Sequence, residues 1–248
     1  LLLLPYALSF GLPQLPVAFW GWMAFLMPLE LIAMLCYVTA IRDHPLALTL
    51  PYLAFTPVFV VVTGWLVLDE TVTGPGLLGI LLVVIGSWLL NFEPGERLDL
   101  AAATAPFRAI ADNPGARLML TAAVIYAVTS VGGKAAMAYM PPEQFGAFYF
   151  ALLGLLTLAF IGLTRPSALQ VGRHGWLALL VVAGFMAVMV VTHFLALAKV
   201  EAAYMISAKR SSLLFGMLYG ALLFGEKHLG RHLVAGAIMI VGVATIAL

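Results

Sequence analysis

Apolar runs of roughly 20 residues recur along the chain, broken by short clusters of proline, glycine and charge. They predict membrane-spanning helices over about Val17–Ile41, Ala47–Leu68, Gly76–Phe92, Ala116–Ala138, Phe145–Leu163, Trp176–Ala198, Ala202–Gly225 and Leu229–Leu248. Leu1–Ser9 reads as the tail of a further helix whose beginning is missing. GLPQLP (Gly11–Pro16) is an uncharged turn, and Arg42-Asp43-His44-Pro45 and Asp69-Glu70 stop two of the spans. Glu93–Gly115 is the one long polar segment, a linker with room for an interfacial helix. Beyond it the turns are short, so neighbouring helices are expected to pair antiparallel. The runs are too long, and period-2 alternation too scarce, for a β-barrel.

The composition agrees. Of 248 residues, 64% are hydrophobic and 9% charged, a balance that does not suit a water-facing surface. The net charge of +1 leaves no electrostatic footprint for nucleic acid. A single cysteine, Cys36, rules out an internal disulfide and reads as packing. The opening stretch lacks a basic region and a cleavage site, so it is not a signal peptide.

The two halves repeat. An offset of 156 lays Glu70 on Glu226, Gly64 on Gly220, Phe59 on Phe215, Gly74 on Gly230, Gly86 on Gly242, and Ala40 and Ala47 on Ala196 and Ala203. It also carries the start of the Ala116 span to before residue 1, so about 40 residues of the first half are expected to be absent. The fold expected is an all-α, polytopic membrane protein of two inverted five-helix repeats, the first truncated at its N-terminus. Residues 1–92 form one repeat, 93–115 the linker and 116–248 the other. Five spans per half is odd, so the halves insert in opposite directions, the plan of many secondary transporters.

A helix ending in Asp-Glu or Gly-Glu, a short turn, then a glycine-rich helix (GLLGILLVVIGSWLL and LVAGAIMIVGVATIAL) occurs twice. This pattern resembles the drug/metabolite transporter superfamily, EamA-type, over almost the whole chain. The resemblance implies carriage of small metabolites, without a cofactor and without enzymatic activity. The pair Lys209-Arg210 in the penultimate span resembles the branch of triose-phosphate and related organophosphate translocators, in which such a pair contacts substrate phosphate.

That pair is also the strongest chemical signal in the residues themselves. Lys209 lies roughly 10 Å along its helix, inside a hydrocarbon layer about 30 Å thick. One such charge near the centre costs about 2.5–3.5 kcal/mol. Adjacent positions diverge by about 100°, so both cannot leave along one groove. The reading is a wet cavity that receives an anion. The competing one has Lys209 snorkelling to the surface and Arg210 paired with a carboxylate. Lys134, in YAVTSVGGKAAM, shares a polar face with Tyr126 and Ser130 and could complete a cationic pocket or snorkel at an interface.

Glu30 sits mid-span beside Pro28, with Tyr37 seven residues on along the same face. The offset relates them to Met186 and His193. Glu30 is the candidate for proton coupling, or else an ion-pair partner of Arg210. His193, Tyr37, Tyr204 and Ser211 are candidates for substrate contact, each against a reading as an ordinary interhelical hydrogen bond. Gly216 and Gly220 form a GxxxG read first as internal packing and second as a homodimer contact. Glu70 and Glu226 read as helix-end caps. His228 and His232 lack further metal ligands, and no metal is expected.

The partners expected are a small-molecule substrate, the lipid bilayer, and a coupling proton or counter-substrate. The leading function is a secondary transporter of a small organic anion in a prokaryotic inner membrane. Against it stand a flippase of a lipid-linked phosphate, an intramembrane enzyme and a cargo-less scaffold. No G-x-S-x-G, H-E-x-x-H or paired catalytic aspartates favour the enzyme. Loops bearing Arg42, Arg97, Arg108, Arg117, Arg165, Arg173, Lys227 and Arg231 fall on one side, which the positive-inside rule makes cytoplasmic.

Overall fold

The computed structural model describes residues 2–11, 14–44, 49, 52–89, 113–173, 175–212, 215 and 229–246. The fold is all-α. The described helices are α1 (Leu4–Ser9), α2 (Val17–Asp43), α3 (Thr56–Leu68), α4 (Gly74–Leu89), α5 (Pro114–Ala136), α6 (Pro142–Thr164), α7 (Trp176–Leu197), α8 (Ala202–Arg210) and α9 (Leu229–Ile246). Among them α2, α6, α7 and the stretch Pro114–Tyr139 are long and apolar enough to cross a membrane. The polar segment read as the linker, the GxxxG of Gly216 and Gly220, Glu226, His228 and the side chain of His232 lie outside the described residues.

Most boundaries follow local chemistry. α2 continues through Pro28, which removes one backbone hydrogen bond, to the carbonyl four residues back at Ala24. The span expected from Ala47 is interrupted. A turn at Ala54-Phe55 precedes α3, which starts at Thr56 with Pro57 in its first turn, where no amide hydrogen is needed. α3 ends on Asp69 at φ 53°, a left-handed cap that lets Glu70 N–H donate back to the Gly64 carbonyl at 3.2 Å. The connection after α6 is longer than expected, because Pro166–Arg173 winds into a 3₁₀ segment before α7.

The chain divides into two compact units, each drawing on both halves of the sequence. One comprises Leu1–Leu31 and Gly132–Val200. Here α6 packs against α1 and α7. Phe19, Phe145, Tyr149 and Phe194 form an aromatic interior, with both edge and tilted contacts. Buried Gln144 donates to the carbonyls of Ala7 (3.0 Å) and Gly11 (2.5 Å) at the end of α1. That satisfies backbone acceptors that hydrocarbon could not. α7 leaves Leu177, Val181, Val182, Phe185 and Val188 exposed, as a helix facing acyl chains does.

The other unit comprises Ile32–Val131 and Glu201–Leu248. Its centre is the packing of α4 on α9. A Cβ placed on Gly79 would lie 2.6 Å from the Gly242 carbonyl oxygen, and one on Gly242 would lie 2.7 Å from that of Gly79. One on Gly86 would meet the Ala235 carbonyl oxygen at 2.8 Å, and Met239 as well. Gly242 in turn faces Val83. The register runs in opposite senses along the two helices, so they cross antiparallel.

The offset of 156 makes α4 and α9 equivalent, and it carries Gly79, Val83 and Gly86 onto Ala235, Met239 and Gly242. The contacts are reciprocal: 79 with 242 mirrors 86 with 235, and 86 with 239 mirrors 83 with 242. Reciprocity of this kind marks a local twofold axis. Equivalent helices related antiparallel by such an axis belong to inverted repeats. α8 packs on α3 and α4. A further cluster gathers Ala40, Tyr52, Ala116 and Met119, with Tyr37 and Trp88 against it.

The crossing tolerates no side chain. Gly79→Ala and Gly242→Ala are each expected to cost about 1–3 kcal/mol by overpacking, read as a lower Tm of the detergent-solubilised protein. Gly21→Ala, with open space around its Cα, should leave Tm within a degree or two.

Candidate functional site

The candidate site is built on α8. Its buried residues are Ala202, Ala203, Ile206 and Ser207, spaced as one helical stripe. At about 100° per residue, Arg210 falls at the centre of that stripe and Lys209 about 90° from it. The side chains agree: Lys209 is exposed, and Arg210 is partly buried. Arg210 Nη2 donates to Thr56 Oγ1 at 2.8 Å. Thr56 is buried and donates onward to the Leu53 carbonyl at 2.6 Å, just before the first turn of α3. Arg210 Nε is shielded from solvent and has no hydrogen-bond partner among the described residues. Among the described residues no carboxylate forms a salt bridge with Arg210. Tyr37 and Tyr126 belong to the same compact unit as Arg210.

A buried guanidinium N–H without an acceptor is costly, and costlier in a nonpolar surrounding. Arg also offers a planar fork that fits a carboxylate or phosphate edge. The arrangement is therefore a cation held by one hydroxyl, with donor capacity to spare.

The remaining residues singled out from the sequence are placed as follows. Tyr204 is tied to the turn before α4: its hydroxyl accepts from Thr73 N–H at 2.9 Å and lies 3.2 Å from Thr73 Oγ1. Glu70 Oε2 accepts from Ala202 N–H at 2.9 Å, which caps the start of α8. Ser211 donates to the Ala208 carbonyl at 2.7 Å. Tyr37 is half-buried on the Ala40 cluster.

Lys134, His193 and Glu30 belong to the other compact unit. Lys134 Nζ donates to the Val200 carbonyl, beyond the end of α7. His193 stacks edge-on against Phe194, with ring centroids 5.0 Å apart. Glu30 is half-buried and one carboxylate oxygen is fully shielded. Tyr149 is 2% exposed and its hydroxyl has no hydrogen-bond partner among the described residues.

A family model matches residues 1–92 and 113–248, that of the EamA-like transporter family. The chain belongs to that family. Members are membrane transporters of small molecules and not enzymes, and the apolar helices fit an integral membrane protein. No curated protein matches the chain. For this EamA-like transporter, the polar interior around α8 is accordingly read in terms of cargo and not of bond-breaking chemistry.

Thr56, Tyr126 and Tyr149 were not among the residues singled out as binding candidates. Thr56 carried a usable signal, a threonine directly before a proline inside an apolar span. Nothing local marks Tyr149 among its phenylalanine neighbours.

Two substitutions separate anchoring from binding. Glu70→Ala removes the cap on α8 and is expected to cost about 1 kcal/mol. Tyr204→Phe removes the acceptor for Thr73 N–H, with a loss of about 1–2 kcal/mol. Both should lower Tm in detergent while leaving anion affinity in the solubilised protein within about twofold.

Proposed function

We propose that this transporter is a secondary carrier of a small organic anion. It would work by alternating access between inverted repeats at 1–92 and 116–248, joined by 93–115, in a prokaryotic inner membrane. The observation that carries the reading is the Arg210 guanidinium. It lies on the buried stripe of its helix, bonded to Thr56, with Nε shielded and lacking an acceptor among the described residues. A permanent positive charge in hydrocarbon calls for a compensating negative group, and a transported anion supplies one intermittently. Lys209, off the buried stripe, serves as a rim charge that raises the local concentration of anions. Tyr37 and Ser211 are proposed to contribute hydrogen-bonding groups to the same unit's site, and His193 a separate contact within its own unit.

The likeness to organophosphate translocators rests on the Lys209-Arg210 pair alone, so the reading supported here is the broader one, an organic anion. Glu30 is the proposed proton-coupling group. In support, it sits two residues after Pro28, which frees a backbone carbonyl inside the helix, and one of its oxygens is shielded.

Proteoliposome uptake tests this. Arg210→Ala should reduce initial rates of anion uptake by about ten- to hundredfold, the equivalent of losing one or two charge-assisted hydrogen bonds. Lys209→Ala should change them by about threefold or less, more at low salt than at high. Uptake unaffected by Arg210→Ala would remove the site. If Glu30 couples protons, Glu30→Gln abolishes stimulation by an imposed pH gradient while exchange of internal for external substrate persists. Retention of the gradient effect assigns coupling elsewhere.

A further inference from the structure

Thr56 opens α3, directly before Pro57. Proline has no amide hydrogen, so position 57 offers nothing to the carbonyl four residues back, that of Leu53. The Thr56 hydroxyl donates to that carbonyl at 2.6 Å, and its oxygen accepts from Arg210 Nη2 at 2.8 Å. The direction of both bonds is forced. A carbonyl only accepts, a guanidinium only donates, and a hydroxyl has a single hydrogen to give. Thr56 therefore presents Arg210 with an oxygen alone, and giving its hydrogen away strengthens that oxygen as an acceptor. Thr56 is 2% exposed, which keeps water from competing for the same oxygen.

We infer that Thr56 is an internal competitor of cargo, and that it sets how tightly Arg210 holds an anion. This rests on the reading of Arg210 as an anion site. The guanidinium is one rigid plane. With Nη2 on Thr56, Nε is shielded from solvent. An anion that takes the Nε–Nη2 edge must turn that plane, and turning it draws Nη2 off the threonine oxygen. Each binding event thus exchanges the bond to Thr56 for the anion's own charge-assisted bonds, and the affinity is the difference between them. The exchange runs in both directions. When cargo leaves, the cation returns to Thr56, so release costs less than it would from a cation left with nothing. A carrier needs such a limit, since cargo held too firmly is not delivered.

The test uses the full chain, purified in detergent, with benzoate and phenyl phosphate as probes. Thr56→Val keeps the volume and removes the oxygen, whereas Thr56→Ser keeps the oxygen. Thr56→Cys keeps a hydrogen for Leu53 but is a weak acceptor. Titration calorimetry, for each probe the wild type binds, should find Thr56→Val binding about three- to tenfold more tightly than wild type. Thr56→Ser should stay within about twofold of wild type, and Thr56→Cys should fall between serine and valine. In proteoliposomes loaded with the same probe, Thr56→Val should lower both the half-saturating concentration and the saturated rate of exchange. Damage to packing lowers the rate without tightening binding, and the Tm of each variant reports that damage separately. Should the valine variant fail to fold, the cysteine variant carries the same comparison. Valine and cysteine variants that bind no more tightly than wild type, while Arg210→Gln abolishes binding, would overturn this inference and leave the anion reading standing. No binding of either probe by wild type, or binding indifferent to Arg210→Gln, would overturn both.

Discussion

Hydrocarbon offers no hydrogen bonds, so each polar group inside this protein must find its partner within the chain. Much of the polar interior obeys that constraint by turning on the backbone. Gln144 closes the end of α1, Lys134 takes the Val200 carbonyl, Glu70 takes the Ala202 amide, and Ser207 returns to the Ala203 carbonyl. Against that background, the Nε of Arg210 stands out. It is a shielded donor on a permanently charged group, without a partner among the described residues, whereas the Tyr149 hydroxyl, shielded likewise, carries no charge. The functional reading follows from that contrast more than from the mere presence of a cation.

Lipid also withdraws the force that packs soluble helices. Acyl chains are as apolar as leucine, so association relies on close approach of backbones. The crossing of α4 and α9 shows this, with glycine against glycine carbonyl at its centre. The same two helices are the twice-repeated element of the sequence, and their contacts exchange under the repeat offset. A close crossing of equivalent helices about a local twofold is a rigid element that both repeats share. Substituents that must move can be hung from it, and α8, which packs on α3 and α4, is one such element.

Spans and repeat were legible because they rest on scarce residues in long apolar runs. Glycines and glutamates aligned at one offset carry information that leucines cannot. Arg210 was legible for the same reason, since a charge in such a run is rarely idle. The division of labour between neighbours was not. Lys209 and Arg210 are adjacent in sequence, and only the buried stripe of α8 shows which one turns inward. Lys134 reads equally as a ligand or an anchor, and no local spacing announces its bond to the Val200 carbonyl. Tyr204 meets Thr73 across 131 positions of chain, a partnership that no local spacing announces. The break at Ala54-Phe55 was hidden by uniform hydrophobicity, although Pro57 marked the helix start that follows it.

The fastening of α8 shows what cargo would compete with on the proposed reading. At its first turn the helix is held twice, by Glu70 on the Ala202 amide and by Tyr204 on Thr73. About 12 Å further along, Arg210 reaches across to the Thr56 hydroxyl. An anion bound to the guanidinium would compete with that hydroxyl and leave the cap and the glycine crossing untouched. A charge held in apolar surroundings needs a partner in every state those surroundings adopt, and in this structure Thr56 supplies one.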